Sequence, residues 1–132
     1  MARPAEKYPT ELELQILKLL WDESPLLARE VQERLAEQGR ELAKTSVITT
    51  LNNMVAKGYL KRKKHRNSFL FSARISEETV STEMLGDVVD RVFDGSTSAL
   101  LMKLFDVGSV GDEELKELRR MINRKLKEGE AS

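Results

Sequence analysis

Cysteine is absent from the chain, and histidine occurs once, at position 65. Disulfide bridges, thiolate metal sites and a cysteine nucleophile are therefore excluded, as is a histidine-rich metal cluster. No stretch approaches the roughly 18 apolar residues that a membrane helix needs. The opening Met1-Ala2-Arg3-Pro4 has no apolar core of the signal-peptide kind. These absences predict a cytoplasmic protein without membrane insertion. An excess of one charge is also missing, since 22 Lys+Arg balance 22 Asp+Glu. The balance conceals a split: residues 1–74 hold 14 cations against 9 anions, and residues 75–132 hold 8 against 13. Such asymmetry reads as a basic binding half and an acidic half with another task. With 132 residues there is room for one ordinary domain, or a small domain with an appended helical segment.

Signs of catalysis are missing too. There is no nucleophile elbow and no phosphate loop. His65 sits in a basic loop without a carboxylate neighbour, and the pairs Glu77-Glu78 and Glu113-Glu114 read as solvated helix starts. The expectation is a protein that is not an enzyme and uses no cofactor and no metal.

What is present begins with Thr10-Glu11-Leu12-Glu13, a capping box at the head of a helix that carries Leu12, Ile16, Leu17 and Leu20 at helical spacing. Asp22-Glu23-Ser24-Pro25 ends it. A second helix spans Ala28 to Glu37 with Val31 and Leu35 inward, and Gly39 suits a left-handed cap. A third runs from about Thr45 to just before Gly58, with Val47, Leu51, Met54 and Val55 as its apolar stripe. Opposite that stripe lie Thr45, Thr49, Asn52, Asn53 and Ala56, a face with no charge and only short side chains. Thr and Asn are mediocre helix formers, so an ordinary wet face would use Glu and Lys instead. Next come two strands, Tyr59 to Lys64 and Ser68 to Phe71, joined by His65-Arg66-Asn67, where Asn67 suits a left-handed turn position. Lys61, Arg62, Lys63, Lys64 and Arg66 make this hairpin a cationic finger. From Ser76 onward only helices are expected: one capped by Ser76, a short apolar one around Ala99 to Phe105, and a last one capped by Asp112.

Three helices and a hairpin in about 65 residues make the winged form of the helix-turn-helix. The fold class is mainly α with a small β-hairpin, divided into a winged-helix DNA-binding domain (1–74) and a helical dimerisation domain (75–132). The third helix would enter a major groove, with Thr49, Asn52 and Asn53 as base contacts, because Asn reads adenine through two atoms and Thr reads either a base or a phosphate. Lys44, Thr45 and Ser46 at its N-terminus, with the hairpin cations Lys61, Arg62, Lys63, Lys64 and Arg66, are the candidate phosphate contacts. The apolar positions Val80, Met84, Val88, Val92, Leu100, Leu101, Leu104, Phe105, Leu118 and Ile122 exceed what a lone extension easily hides, so a second copy is the expected cover, the other reading being that these helices fold back onto the N-terminal domain. A two-fold dimer matches an inverted-repeat operator on double-stranded DNA. A winged helix that binds protein instead of DNA is the other reading, and the Thr/Asn face beside the cations weighs against it.

The stretches Thr10-Glu11-Leu12-Glu13 through Leu19-Leu20-Trp21, Arg29-Glu30-Val31, Thr45-Ser46-Val47 through Leu51, and Lys57-Gly58-Tyr59-Leu60 with the basic hairpin resemble the BlaI/MecI family of penicillinase repressors. The resemblance covers nearly the whole chain. It implies a homodimeric repressor with a winged-helix domain and a C-terminal dimerisation domain. It also implies derepression by a membrane sensor-peptidase system that cuts the C-terminal domain, usually between Asn and Phe. Leu104-Phe105 is the matching position here, with leucine where the family has asparagine. Leu27 stands where the family often has Thr before the second helix, a cap whose loss costs about 1 kcal/mol. Copper-sensing relatives carry C-terminal cysteines, which this chain lacks.

Overall fold

The computed structural model describes residues 8–131 of the chain. The opening Met1-Ala2-Arg3-Pro4 lies outside the described residues. The elements follow as α1 (Glu11–Asp22), β1 (Leu26–Leu27), α2 (Ala28–Glu37), α3 (Lys44–Ala56), β2 (Leu60–His65), β3 (Ser68–Ala73), α4 (Glu77–Val92), α5 (Thr97–Val107) and α6 (Asp112–Ala131). They form two compact units that divide between Gly86 and Asp87. Among the described residues, no helix is long and apolar enough to cross a membrane.

In the first unit, Thr10 caps α1 through the expected box: its hydroxyl accepts from the Glu13 N–H at 3.2 Å, and the Glu13 carboxylate accepts from the Thr10 N–H at 2.9 Å. Ile16, Leu17 and Leu20 turn inward, against Val31 and Leu35 of α2 and Val47, Leu51 and Met54 of α3. Leu26, Tyr59, Leu60 and Phe71 close this core from the sheet side. The α2–α3 connector is held by Gly39 in the left-handed region (φ 88°) and by the Gln32 amide, which donates to the Leu42 carbonyl at 2.9 Å. A two-residue strand, β1, was absent from the sequence reading. It pairs antiparallel with β3, giving the sheet order β1-β3-β2. Leu27 therefore heads α2 without a side-chain cap, and Glu30 instead accepts from the Leu27 N–H at 2.9 Å. Half of a capping box thus survives the missing threonine.

Two expectations are corrected here. The left-handed residue of the hairpin turn is Arg66 (φ 56°), not Asn67. Pairing of His65 with Ser68 leaves a two-residue turn, Arg66-Asn67, whose positive φ at the first position follows the type II′ pattern. Val80 and Met84 were expected at a subunit interface. Val80 is 3 % exposed within the core of the first unit, and Met84 packs against that core, so one chain already covers them. For the same reason the first unit extends beyond residue 74, through the opening turns of α4. Trp21 reinforces this edge, its indole N–H donating to the Ile75 carbonyl at 2.9 Å.

In the second unit, Ser96 caps α5 by accepting from the Ala99 N–H at 3.1 Å, after Asp94 (φ 52°) and Gly95 (φ 82°) have ended α4. Asp112 lies inside the first turn of α6, and Gly111 supplies the carbonyl that the Leu115 N–H reaches at 2.9 Å. Among the described residues from Asp87 onward, no side chain is buried.

Glu13 is 4 % exposed, the one buried charge among the described residues, and its carboxylate accepts from the Lys57 ammonium at 2.9 Å. Burial pushes the Glu13 carboxyl up, but the Lys57 hydrogen bond and charge, together with the Thr10 bonds, outweigh it and hold the group below the ordinary carboxylate value. A depressed folded pKa contributes stability that is fully present above the unfolded value of about 4.3 and is lost as pH falls through the folded value. Glu13→Gln should therefore destabilise the protein by about 1–3 kcal/mol at neutral pH. Urea denaturation at pH 7 and near pH 3 should show the difference from wild type shrinking in acid. A difference that is constant with pH would mean the charge plays no part.

Candidate nucleic-acid interface

The outer face of α3 carries short, uncharged polar side chains. Val47, Leu51 and Met54 are fully buried, which turns Thr45, Ser46, Thr49 and Asn53 to solvent. The N-cap residue of α3 is Ala43, which makes no side-chain cap. The first intrahelical bond is from Val47 to the Ala43 carbonyl, so the N–H groups of Lys44, Thr45 and Ser46 lack intrahelical acceptors. An uncapped helix N-terminus of this kind offers donors and a partial positive charge to a phosphate. Thr50 is turned back on the helix, donating to the Ser46 carbonyl at 2.8 Å, and takes no part in that face.

The hairpin stands beside α3. Pairing of Leu60 with Ala73, Arg62 with Phe71 and Lys64 with Phe69 puts these residues on one face of the sheet. Leu60 and Phe71 are buried, so this is the core-side face, and Arg62 and Lys64 continue it past the edge of the core. Lys61 and Lys63, paired with Ser72 and Leu70, point the other way. The cationic finger is thus two rows, and only one row turns toward α3. Arg62 is the best-held member: its guanidinium lies 4.5 Å from the centre of the Phe69 ring and donates to the Asn52 side-chain carbonyl at 2.5 Å. One candidate phosphate contact is therefore joined to one candidate base contact, leaving the half-buried Asn52 less free than the exposed Thr49 and Asn53.

Between the start of α2, the outer face of α3 and the wing tip lies a groove of about 540 Å³. Leu27, Ala28, Ile48, Phe69 and Phe71 give it an apolar floor, and Arg29, Lys44, His65 and Arg66 a basic rim. Among the described residues, Arg29, Lys44, Lys61, Arg62, Lys63, Lys64 and Arg66 form no ion pair; the arginines and lysines that do are Arg34, Arg40, Lys57, Arg91 and Lys116. Unneutralised cations around a groove suit a polyanion. Sequence reasoning missed Arg29 and Ile48 as groove residues. Arg29 looked like one of several solvated charges on α2, and only the three-dimensional approach of that helix start to the wing singles it out.

In the second unit, Val88, Val92, Leu101, Leu104, Phe105 and Ile122 are exposed, while Leu100 and Leu118 are half-buried. Leu104 and Phe105 are 49 % and 46 % exposed as side chains, but the peptide between them lies within α5. A protease needs extended backbone, so it reaches that bond only after α5 opens locally. Among the described residues, no group of three or more His, Asp or Glu side chains is placed to hold a metal ion.

The family profile described as penicillinase repressor matches residues 9–124. The chain is 20 % identical over 113 residues to the methicillin resistance regulatory protein MecI of Mammaliicoccus sciuri, covering 86 % of this chain and 91 % of that one. It is 23 % identical over 113 residues to the penicillinase repressor of Bacillus licheniformis, covering 86 % and 88 %. Among solved structures, the DNA-binding domain of the repressor BlaI matches with a TM-score of 0.47 and 25 % identity, over 52 % of this chain and 83 % of that domain.

Proposed function

From the premise that this chain belongs to the penicillinase repressor family, we propose that it represses transcription as a homodimer seated on an inverted-repeat operator, in the cytoplasm. The observation that carries this reading is the charge-free Thr/Asn face of α3, standing with an uncapped N-terminus beside unpaired cations on the wing. Short hydrogen-bonding side chains let a helix approach base edges closely, and the cations supply sequence-independent affinity. Thr49, Asn52 and Asn53 read bases. Lys44, Thr45 and Ser46 hold a phosphate at the helix start, and Arg62, Lys64 and Arg66 hold the backbone from the wing, with Lys61 and Lys63 contributing longer-range attraction. RNA polymerase is excluded by occupancy of the site.

The homodimer is supported by the second unit, whose apolar side chains are uncovered in a single chain. Val88, Val92, Leu100, Leu101, Leu104, Phe105, Leu118 and Ile122 are the candidate interface residues. Induction by a membrane sensor-peptidase belongs to the same reading, with the cut at Leu104-Phe105 following local opening of α5.

The test is selection of bound sequences from random duplex DNA at moderate salt. An inverted repeat supports both the DNA reading and the two-fold dimer; recovery of nothing above background rejects them in favour of a protein-binding module. On the selected operator, Asn53→Ala should lose about 1–3 kcal/mol of discrimination while leaving affinity for unrelated DNA unchanged. Competition binding against a scrambled duplex measures this, and an equal loss on both duplexes would remove Asn53 from the base-reading set.

A further inference from the structure

The groove between the start of α2, α3 and the wing tip has a floor that DNA leaves unexplained. On one side Lys44, Ile48 and Asn52 follow at four-residue steps and so form one strip of α3. Ile48 is half-buried and interrupts an otherwise polar outer surface. Phe69 and Phe71, two residues apart on β3 and hence on one face of the sheet, complete the floor. Among the described residues of the first unit, Phe69 and Leu85 are the exposed large apolar side chains. Arg62 stacks 4.5 Å from the centre of the Phe69 ring, yet 38 % of that residue stays open, and it lines the groove. A phosphate takes hydrogen-bond donors and keeps its water, so it gains nothing from Ile48 or a phenylalanine ring.

The rim is of one sign. Arg29, Lys44 and Arg66 carry full charges there, none of them in an ion pair among the described residues, and no Asp or Glu lines the groove. An apolar floor under a cationic rim, in about 540 Å³, complements a small molecule with an apolar body and a carboxylate. Two phenylalanines favour an aromatic body, which stacks or meets them edge-on. A rigid ring also loses less freedom on binding than a flexible chain. We propose that this groove binds an aromatic carboxylate, with its ring on Ile48, Phe69 and Phe71 and its anion on the Arg29, Lys44 and Arg66 rim, and that the bound acid displaces DNA. The displacement rests on the DNA reading above. Lys44 and Arg66 face either a carboxylate or a phosphate, so each occupant weakens the other by the same factor. The release is reversible and leaves the chain uncut.

Isothermal titration calorimetry of the full chain without DNA tests the site, with 2-naphthoate as the probe and 2-naphthalenemethanol and acetate as controls. The naphthoate should bind saturably at one site per chain, about tenfold or more tighter than the alcohol, which lacks the charge-assisted contacts. Acetate should give no saturable binding in that range. Ile48→Glu sets a carboxylate on the floor, and Arg29→Gln removes a rim charge; each should weaken the naphthoate about tenfold. Dichroism melts check the fold, and Arg29 is exposed, so its variant decides the matter even where Ile48→Glu unfolds. Equal binding by wild type and Arg29→Gln puts the probe elsewhere and overturns the proposal. Equal binding of acid and alcohol, or no saturable binding, overturns it as well. On the selected operator, saturating naphthoate should lower DNA affinity about tenfold, read by fluorescence anisotropy. A bound acid that leaves DNA affinity unchanged overturns the displacement. A chain that binds no duplex rejects the repressor reading, while calorimetry still decides the site.

Discussion

Arg62→Ala should weaken binding to the selected operator by tenfold or more, and Lys61→Ala, one residue away, by only a few-fold. The three lysines and two arginines of the wing look equivalent as a charge run, but strand alternation separates them. Arg62 lies on the face that continues the core toward α3, stacked on Phe69 and bonded to Asn52, whereas Lys61 points to the opposite face. Removing Arg62 deletes a charge-assisted contact worth about 1.5–3 kcal/mol and releases Asn52 from its orientation. The slope of log affinity against log salt should fall by about 0.9, the value for one phosphate. Arg62→Lys keeps the charge but loses the planar stack and the fork, so its affinity should fall between wild type and alanine. Fluorescence anisotropy titrations at several salt concentrations decide the matter. Equal losses at positions 61 and 62 would show that the wing acts as an undifferentiated cloud of charge.

Leu51→Ala should cost about 2–5 kcal/mol of folding free energy, the range for truncating a buried leucine. Leu51 is 0 % exposed and sits between Val47 and Met54 on the buried face of α3. A small domain has a total stability of about 5–15 kcal/mol, so the loss takes a large share. On the proposed function it also strikes binding, because the Thr/Asn face is positioned by the packed face behind it. Operator affinity should drop even at temperatures where the variant remains folded, since a looser α3 must be ordered on binding. Urea denaturation followed by a binding titration at low temperature separates the two effects. A loss below about 1 kcal/mol would mean that neighbouring side chains collapse into the space.

Much of the first unit is legible in residue order because its signals are local. Thr10 and Glu13 announce α1 at a spacing that the capping box requires. Ala28 to Glu37 is bounded by Pro25 before it and Gly39 after it, and the Thr/Asn face of α3 stands out because propensity argues against it. What escaped was non-local. Leu26-Leu27 is too short to show any period, and only its pairing with Phe71 and Leu70 makes it a strand. Val80 and Met84 continue the same every-fourth-residue stripe as Val88 and Val92, and spacing does not tell which surface covers which part of a stripe. The first two meet the winged-helix core; the last two do not. The division of the wing into two rows follows from period-two alternation, but it becomes usable only once Leu60 and Phe71 are known to be buried.

The chain has one tryptophan and two tyrosines, Trp21, Tyr8 and Tyr59, and all three lie in the first unit. Trp21 is anchored by its bond to the Ile75 carbonyl, so its indole leaves a fixed, partly shielded setting when that unit unfolds. The second unit holds only phenylalanine and is silent in near-ultraviolet emission by comparison. Its helices nevertheless contribute to peptide circular dichroism. The chain therefore carries a built-in optical label for one half of itself: an emission melt follows the winged helix alone, a dichroism melt follows both halves, and any gap between the two curves measures how independently the halves come apart.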